Sequence, residues 1–343
     1  MRELLNTLFV QTQGAYVRLD HETLKLEVER ELKLQVPLHH IGAMVLFGNV
    51  LVSPFLLHRF AEDGRSIVWL GKTGRFKGRL AGPTSGNVLL RRAQYEAQGD
   101  TYRVTNIARN VVAGKVRNAR TLVQRSAREA ASTEDRDALQ NTAKILGRSL
   151  REVGRAESVA EVRGVEGQAG RVYFETLNRM VRSDREHYAW TGRNRRPPRD
   201  RMNALLSFVY ALVLGDCVSA CEGVGLDPQF GYLHALRPGR PSLGLDLMEE
   251  LRPILADRLV FSLINRRQVR PSDFEERPGG AVHLREDGRK TVLVAYQKRK
   301  QEEVHHPVLD QQVPLGLVPH VQARLLARHL RGDVEFYVPF TPK

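Results

Sequence analysis

Apolar and polar residues alternate in short runs through the first part of the chain. Residues 15–19, 24–28 and 32–38 each place apolar side chains at every second position, which is the period of a half-buried strand. A charged break at Glu29-Arg30-Glu31 separates the last two runs. The pattern therefore predicts strands over all three runs and a hairpin at the break.

Further apolar runs and a glycine-rich segment complete this part. Residues 41–47 and 67–70 are short apolar runs that indicate buried strands, and Ser53-Pro54 between them is typical of a capped helix start. Residues 71–86 are rich in glycine and basic side chains and show no periodicity. We therefore expect an N-terminal β-sheet domain over residues 1–84, followed by a boundary.

The remainder of the chain has a helical period. Basic residues lie on a helical frame over 115–128, and a turn leads into a second helix that reaches about Val153. Ser158 and Glu161 have the spacing of a capping box and predict the start of a helix that runs to about Arg182. The sequence thus predicts an α+β protein in which a mainly α-helical catalytic domain, residues 85–343, follows the β-sheet domain.

The later elements are read from apolar faces and turn residues. A wide apolar face predicts a helix from residue 204 that ends at Gly223 or Gly225. The remaining expectations are a helix to about Asn265, a β-ribbon formed by residues 281–284 and 291–295, and a last helix over residues 321–330.

Three glycines interrupt the helix that follows Ser158. Gly164, Gly167 and Gly170 recur every third residue, and each costs roughly 1 kcal/mol of helix stability relative to alanine. Such a cost predicts a close approach by another helix or by a ligand. Glu166 lies within this glycine stripe, where little bulk would shield it from a substrate.

Composition narrows the class of protein. Hydrophobic residues make up 42% and charged residues 27% of the 343 positions, which is typical of a globular protein. No apolar run approaches the roughly 18 residues of a membrane span, and the N-terminal segment is too short and polar for a signal peptide. The two cysteines, Cys217 and Cys221, fit small buried side chains in a reducing compartment. We expect a cytoplasmic protein without a membrane partner.

The net charge of +14 is concentrated in the middle of the chain. Residues 87–199 hold 23 basic and 13 acidic side chains, and many of the basic ones are arginines, whose planar fork suits phosphate oxygens. This excess favours nucleic acid as the partner, with a merely solvated basic surface as the alternative. The predicted DNA-binding residues are Arg120, Arg163, Arg193, Arg195, Arg196, Arg199 and Arg240.

A histidine and several carboxylates suggest the chemistry. His234 precedes a predicted helix on which Asp246, Glu249 and Glu250 lie three and four residues apart, so that we expect them to share one face near a cation. Together with Glu166 they form a mixed nitrogen and oxygen set that suits Mg²⁺ or Mn²⁺ and phosphodiester chemistry. His234 could instead act as a general base. A non-catalytic DNA-binding scaffold and a hydrolase of small phosphates remain the competing interpretations.

The segments that carry these residues resemble the CRISPR-associated adaptation integrase and endonuclease family, Cas-one. The similar motifs are Arg163-Gly-Val-Glu166-Gly, Arg199-Asp-Arg-Met-Asn203, Gly231-Tyr-Leu-His234 and Asp246-Leu-Met-Glu249. The resemblance implies that Glu166, His234 and Glu249 are the metal ligands, with Asp246 as a further catalytic residue close to them. It also implies a homodimer joined to a small ferredoxin-like partner, Cas-two. The implied partner is double-stranded DNA, as both the captured fragment and the repeat array. The implied reaction is attack by the 3′-hydroxyl of the fragment on the repeat-array DNA.

Overall fold

The structure is a computed structural model that describes residues 7–72, 74, 76–80, 82, 88–194 and 197–342. The chain divides into two units, residues 1–86 and 87–343. A β-sheet region at the N-terminus is followed by a mostly helical region, so the predicted α+β class is confirmed. The predicted boundary after residue 84 falls among residues that the structure does not describe.

The first unit contains two four-stranded sheets and one helix. One sheet has the order β1-β5-β7-β8, parallel except for the antiparallel pair β7 and β8. The other has the order β4-β3-β2-β6, in which β3 pairs antiparallel with both neighbours. The elements are β1 (Thr7–Val10), β2 (Tyr16–Asp20), β3 (Thr23–Val28), β4 (Glu31–Pro37), β5 (Ala43–Phe47), β6 (Leu51–Val52), α1 (Pro54–Glu62), β7 (Ser66–Leu70) and β8 (Phe76–Leu80).

Local sequence explains these elements. Glu29 and Arg30 have φ angles of 52° and 67° and form the two-residue turn between β3 and β4, which confirms the predicted hairpin. The Ser53 hydroxyl accepts a hydrogen bond from the amide of Leu56, 3.3 Å away, at the start of α1. Leu56 and Phe60 of α1 are fully buried in the core of this unit.

The second unit is mainly helical. The helix α3 lies against α4, α5 and α8, and α7 packs against α8 and α11. The elements are α2 (Val88–Glu96), α3 (Thr101–Arg128), α4 (Thr133–Arg155), α5 (Val159–Glu175), α6 (Leu177–Met180), α7 (Arg201–Val224), α8 (Ser242–Leu251), α9 (Arg258–Asn265), β9 (Phe274–Arg277), β10 (Ala281–Leu284), α10 (Glu286–Gln301), β11 (Glu303–His306), β12 (Gln311–Pro314) and α11 (Val318–Arg331). A π-helical segment, Arg252–Asp257, connects α8 to α9.

Several helix ends follow the predicted signals. Ser158 caps α5 by accepting from the amide of Glu161, and the Glu161 carboxylate accepts from the amide of Glu157 rather than from that of the cap itself. Gly225, with φ 96°, ends α7 in the left-handed conformation. Cys217 and Cys221 are buried free thiols on α7, as expected.

By length and composition alone, α7 is the one helix within the described residues that could cross a membrane. About 61% of its most apolar stretch is buried inside the protein, and the core helices of globular proteins pass the same test. Its packing against α8 and α11 fits such a core helix. The absence of a membrane partner and the cytoplasmic location stay predictions.

Two predictions about the helical unit were wrong. Residues 291–295 belong to α10 and not to a strand; Gly288, Val292 and Tyr296 are buried at a spacing of four, which is a helical period that the β-branched residues obscured. The true partner of β10 is β9. The helix expected to reach Arg182 ends at Glu175, and a separate short helix, α6, follows it.

Candidate active site

His234 is held in place by Asp246. The amides of Tyr232, Leu233 and His234 donate to the Asp246 carboxylate over 2.6, 3.0 and 2.9 Å. His234 Nδ1 lies 2.7 Å from Asp246 Oδ1 and donates its proton there, because a carboxylate can only accept. In the neutral ring this leaves Nε2 unprotonated and able to bind a metal ion or take a proton. Asp246, predicted as a catalytic residue, acts here by positioning the imidazole.

The loop that carries His234 fits tightly against the start of α8. A Cβ atom on Gly231 would lie 2.6 Å from the carbonyl carbon of Ser242 and 2.7 Å from Asp246 Oδ2. Both distances are far inside van der Waals contact, so only glycine allows the loop to reach the Asp246 carboxylate.

Glu166 of α5 and Glu249 of α8 meet at the ammonium of Lys115 on α3. Lys115 Nζ donates to Glu166 Oε1 and lies 2.7 Å from Glu249 Oε2. Glu249 Oε1 is 3.1 Å from Arg252 Nη2 and 3.7 Å from His234 Nε2. The three predicted metal ligands, drawn from two helices and a loop, therefore converge on one place.

The charge around Glu249 is strongly positive. Burial alone would raise the pKa of Glu249, but Arg252, Lys115 and His234 outweigh it and lower that pKa to about 2. Burial would likewise lower the pKa of Lys115, and the carboxylates of Glu249 and Glu166 reverse this and raise it. The expectation that something cationic lies beside the acids of α8 is thus confirmed, with Lys115 and Arg252 as the cations.

Glu250 has different partners from Asp246 and Glu249, so the expectation that all three acids lie near a cation was wrong for Glu250. Its carboxylate accepts from Tyr337 Oη at 2.6 Å and from the amide of Phe340 at 2.7 Å, while Gln322 Nε2 donates at 3.1 Å. One residue of rotation on a helix is about 100°, which is enough to separate Glu250 from Glu249. Burial raises the pKa of Glu250 to about 7 despite these donors.

A buried carboxylate lies beneath the site. Asp257, in the π-helical segment, accepts from the hydroxyls of Tyr210 at 2.6 Å and Tyr173 at 2.8 Å, and burial raises its pKa to about 6. The guanidinium of Arg252 lies 5.0 Å from the centre of the Tyr210 ring. A small cavity of about 20 Å³ is bordered by Lys115, Glu166, Tyr173, Tyr210, Arg252 and Asp257, among others.

The donor chemistry at this place suits a divalent ion. Carboxylate oxygens with one imidazole nitrogen are ligands for Mg²⁺ or Mn²⁺. Glu249 Oε2 is buried and makes no hydrogen bond to any described residue; its partner is the charge of Lys115. Within the described ranges, however, no three His, Cys, Asp or Glu side chains are arranged closely enough to hold an ion together. The residues fit the ion, but Lys115 holds the position between the two glutamates.

The glycine stripe of α5 differs from the prediction. A Cβ atom on Gly164 or Gly167 would meet nothing within 4 Å, and one on Gly170 would meet only Glu166 Oε1 at 3.9 Å. A Cβ atom at these positions would meet no other helix within the described residues, so the glycines leave open space along this part of α5, and Gly170 leaves it next to Glu166. The sequence predicted a close approach either by another helix or by a ligand, and this geometry allows the ligand.

The predicted DNA-binding arginines have different environments. Arg163, Arg193 and Arg199 are exposed, and Arg163 Nε donates to the carbonyl of Leu233, 2.5 Å away, next to His234. Arg120 is half-buried and donates to the carbonyl of Ala143 on α4, so it joins two helices. Arg240 is half-buried, and Arg195 and Arg196 lie outside the described residues.

Sequence reasoning missed the roles of Lys115 and Arg252. Lys115 had been read only as one of several basic residues, yet it lies on the buried side of α3 between Val111 and Ala119, four residues away in each direction. A lone lysine on an apolar stripe is a signal that could have identified it. Arg252 lies one helical turn after Glu249, which is the spacing of an ion pair on a helix.

A carboxylate and imidazole site beside exposed arginines, on helices that follow a β-sheet unit, defines a candidate centre for phosphodiester chemistry. The family described as CRISPR associated protein Cas1 matches residues 8–298. The chain belongs to this family. It is 62% identical, over 99% of both chains, to the CRISPR-associated endonuclease Cas1 1 of Moorella thermoacetica. It is 49% identical, again over 99% of both, to the CRISPR-associated endonuclease Cas1 2 of Rhodospirillum rubrum.

Solved structures share the fold. TM1797, a CAS1 protein from Thermotoga maritima, superimposes with a TM-score of 0.82 at 24% identity, covering 98% of this chain and 100% of that one. A casposase bound to integration product gives 0.83 at 20% identity, covering 97% and 92%. A chain of a Cas6-RT-Cas1–Cas2 complex gives 0.82 at 21% identity, covering all of this chain and 37% of that one.

Proposed function

We propose that the protein is a divalent-metal-dependent DNA endonuclease and integrase that inserts captured DNA fragments into a CRISPR repeat array. The observation that carries the proposal is that Glu166 and Glu249 meet at the Lys115 ammonium, with His234 Nε2 3.7 Å from Glu249 Oε1. Relatives named as Cas1 endonucleases and a structural neighbour bound to an integration product support the same reaction class.

In the proposed reaction, the 3′-hydroxyl oxygen of the fragment forms a bond to a phosphorus of the repeat strand. The attacking hydroxyl gives up its proton as this bond forms, the bond between that phosphorus and the 3′-oxygen of the repeat strand breaks, and the released oxygen takes up a proton to become a new 3′-hydroxyl. Mg²⁺ or Mn²⁺ bound by Glu166, His234 and Glu249 would supply Lewis-acid stabilisation of the charge that grows on the phosphate. Asp246 keeps His234 Nε2 directed at the site, and the open glycine face of α5 leaves room for the DNA strand beside Glu166.

Exposed cations provide a surface for the DNA backbone. Besides Arg163, Arg193 and Arg199, four basic residues of α4 are exposed and spaced by four, three and four positions, which places them along one side of the helix. No ion pair within the described residues engages their side chains, so their charges are available to phosphates. These residues are Lys144, Arg148, Arg151 and Arg155.

We further propose that the chain acts as a homodimer together with a small ferredoxin-like Cas2 partner. A structural neighbour that belongs to a Cas1–Cas2 complex supports the second part. Leu32 and Leu34 are 52% and 36% exposed on β4, which is an edge strand of its sheet, and apolar residues on an open edge favour a protein partner.

The test is joining and cleavage of branched DNA with Mn²⁺, compared with the same reaction in EDTA. We expect Glu166→Ala and His234→Ala to abolish both activities, because each removes a ligand, while folding and DNA binding persist. Glu175→Ala is the matched control, since Glu175 is an exposed glutamate on the same helix. Full activity of either ligand variant, or activity in EDTA, would contradict the proposed metal-dependent reaction. A wild-type protein that binds DNA but neither joins nor cleaves it with Mn²⁺ would favour a non-catalytic DNA-binding scaffold.

A further inference from the structure

Lys115 lies where the two carboxylates of the candidate site meet. Its side chain is only 14% exposed and comes from a side of α3 on which Val111 and Ala119 are buried. The ammonium contacts Glu166 on α5 and Glu249 on α8. One positive charge therefore serves two carboxylates and links three helices.

A divalent ion that used both glutamates would need the same place. Carboxylate oxygens bind such ions at about 2.0 to 2.6 Å, and the Lys115 ammonium already lies 2.7 Å from Glu249 Oε2. Arg252 lies 3.1 Å from the other oxygen of the same carboxylate. An added divalent charge beside both cations would be strongly repelled in a buried place. The ion and the ammonium are therefore alternative occupants.

Of the two cations, Lys115 is the one that can leave. Arg252 is planar and lies over the Tyr210 ring, 5.0 Å from its centre. Lysine has a flexible four-carbon stem and a compact charge. The small cavity beside Lys115 also borders the carboxylate of Asp257, which offers the displaced ammonium another negative partner.

We propose that Lys115 is an internal cation that holds the position of the divalent ion and is displaced by it, so that Lys115 sets the metal affinity of the site. The inference rests on the proposed function, because it takes Glu166 and Glu249 as ligands. With the ammonium in place beside Arg252, the two negative charges are balanced and the two carboxylates are held together without metal. The protein then binds the divalent ion only when the ion concentration is high enough to displace the Lys115 ammonium.

Calorimetric titration of the full-length, DNA-free protein with Mn²⁺ tests the inference. Lys115→Met keeps the length of the side chain and removes its charge. We expect at least about a tenfold lower dissociation constant for Mn²⁺, because the competitor is gone. The metal-free variant should melt at a lower temperature than the wild type, and Mn²⁺ should raise its Tm by more.

Lys298→Met is the control, since Lys298 is exposed near the end of α10 and the substitution is the same. It should leave the Mn²⁺ affinity unchanged. If Lys115→Met does not fold, Lys115→Gln, whose amide can still donate to Glu166, is expected to show the same tighter binding.

Suppose the wild type binds Mn²⁺ and Glu166→Ala does not. Unchanged or weaker Mn²⁺ binding by a folded Lys115 variant would then overturn this inference but not the proposed function. A wild-type protein that binds no Mn²⁺ would instead contradict the proposed function and with it the role of Lys115. Tighter binding by the variant supports both.

Discussion

Two adjacent glutamates on α8 have almost the same burial and opposite electrostatics. Glu249 is 2% exposed and lies beside Lys115 and Arg252, which bring its pKa to about 2. Glu250 is fully buried among neutral donors, and burial raises its pKa to about 7. The difference arises from charge, because a full positive charge compensates for lost hydration much better than neutral hydrogen bonds do.

The comparison separates the acidic residues of α8 by their partners. Asp246 contacts the loop that carries His234, and Glu249 contacts the charged Lys115 of α3. Glu250 contacts the C-terminal segment, where Tyr337 and Phe340 are buried. We therefore expect substitutions of Asp246 and Glu249 to affect chemistry and substitutions around Glu250 to affect stability.

The largest expected effect is on activity. Glu249→Gln removes the charge of a proposed metal ligand. If the proposal holds, Mn²⁺-dependent joining of branched DNA should fall below detection, beyond the roughly 10–100-fold loss typical of an outer-shell partner. Glu250→Gln is the neighbouring control and should keep activity within about tenfold. An equal loss of activity in both variants would contradict the different roles expected for Glu249 and Glu250.

The next effect is on stability. Phe340 is fully buried and its ring lies 5.3 Å from that of His306, so Phe340→Ala should lower the free energy of unfolding by about 3–5 kcal/mol. Urea unfolding measures this change. Phe336→Ala, in the same segment but 43% exposed, should change it by no more than about 0.5 kcal/mol. Similar losses in the two variants would argue against a docked C-terminal segment.

A smaller effect concerns pH. The pKa of Glu250 is raised from 4.5 to about 7, so between these values the folded protein holds a proton that the unfolded chain has released. Its contribution is present below about pH 4.5 and is lost as the pH rises through 7, by roughly 3 kcal/mol. Urea unfolding between pH 5 and 8 should show this decline in the wild type and a flatter curve for Glu250→Gln. Parallel curves would contradict the assignment.

The smallest of these effects is expected from Asp246. Asp246→Asn keeps the shape of the side chain but replaces one acceptor oxygen with a donor that faces amide hydrogens. We expect Mn²⁺ affinity to fall by about 10–100-fold, as for other outer partners of a metal-binding histidine. Calorimetry measures this loss, and a thermal melt checks that the variant is folded. An unchanged affinity would show that the loop holds His234 without Asp246.

Much of the fold could be predicted because local patterns determine it. Alternation identified β2, β3 and β4, short apolar runs identified β5 and β7, and Ser53 and Ser158 marked helix starts that the structure confirms. The strands β1 and β6 were missed, and so was β8, which lies within residues 71–86 where no periodicity was found. The pattern failed over residues 291–295, where β-branched side chains lie on a helix whose burial has a period of four. The ribbon of β11 and β12 was also missed.

The candidate site residues came from motif resemblance, and their arrangement came only from the structure. Glu166 and Glu249 meet at Lys115, and His234 Nε2 lies 3.7 Å from Glu249 Oε1, while their role as metal ligands stays a prediction. The direction of Glu250 depends on Gln322 and Tyr337, more than 70 residues away in sequence, and no local pattern encodes such a contact. The role of Lys115 likewise depends on two distant carboxylates.

The open glycines of α5 have a consequence for protein engineering. Nothing lies within 4 Å of a Cβ atom at Gly164 or Gly167, so alanine at each position should make the helix more stable by roughly 1 kcal/mol. A methyl group at Gly170 would instead lie 3.9 Å from Glu166 Oε1 and narrow the space beside that carboxylate. Alanine at Gly164 or Gly167 is therefore expected to raise heat resistance with little change in turnover, whereas alanine at Gly170 is expected to lower turnover.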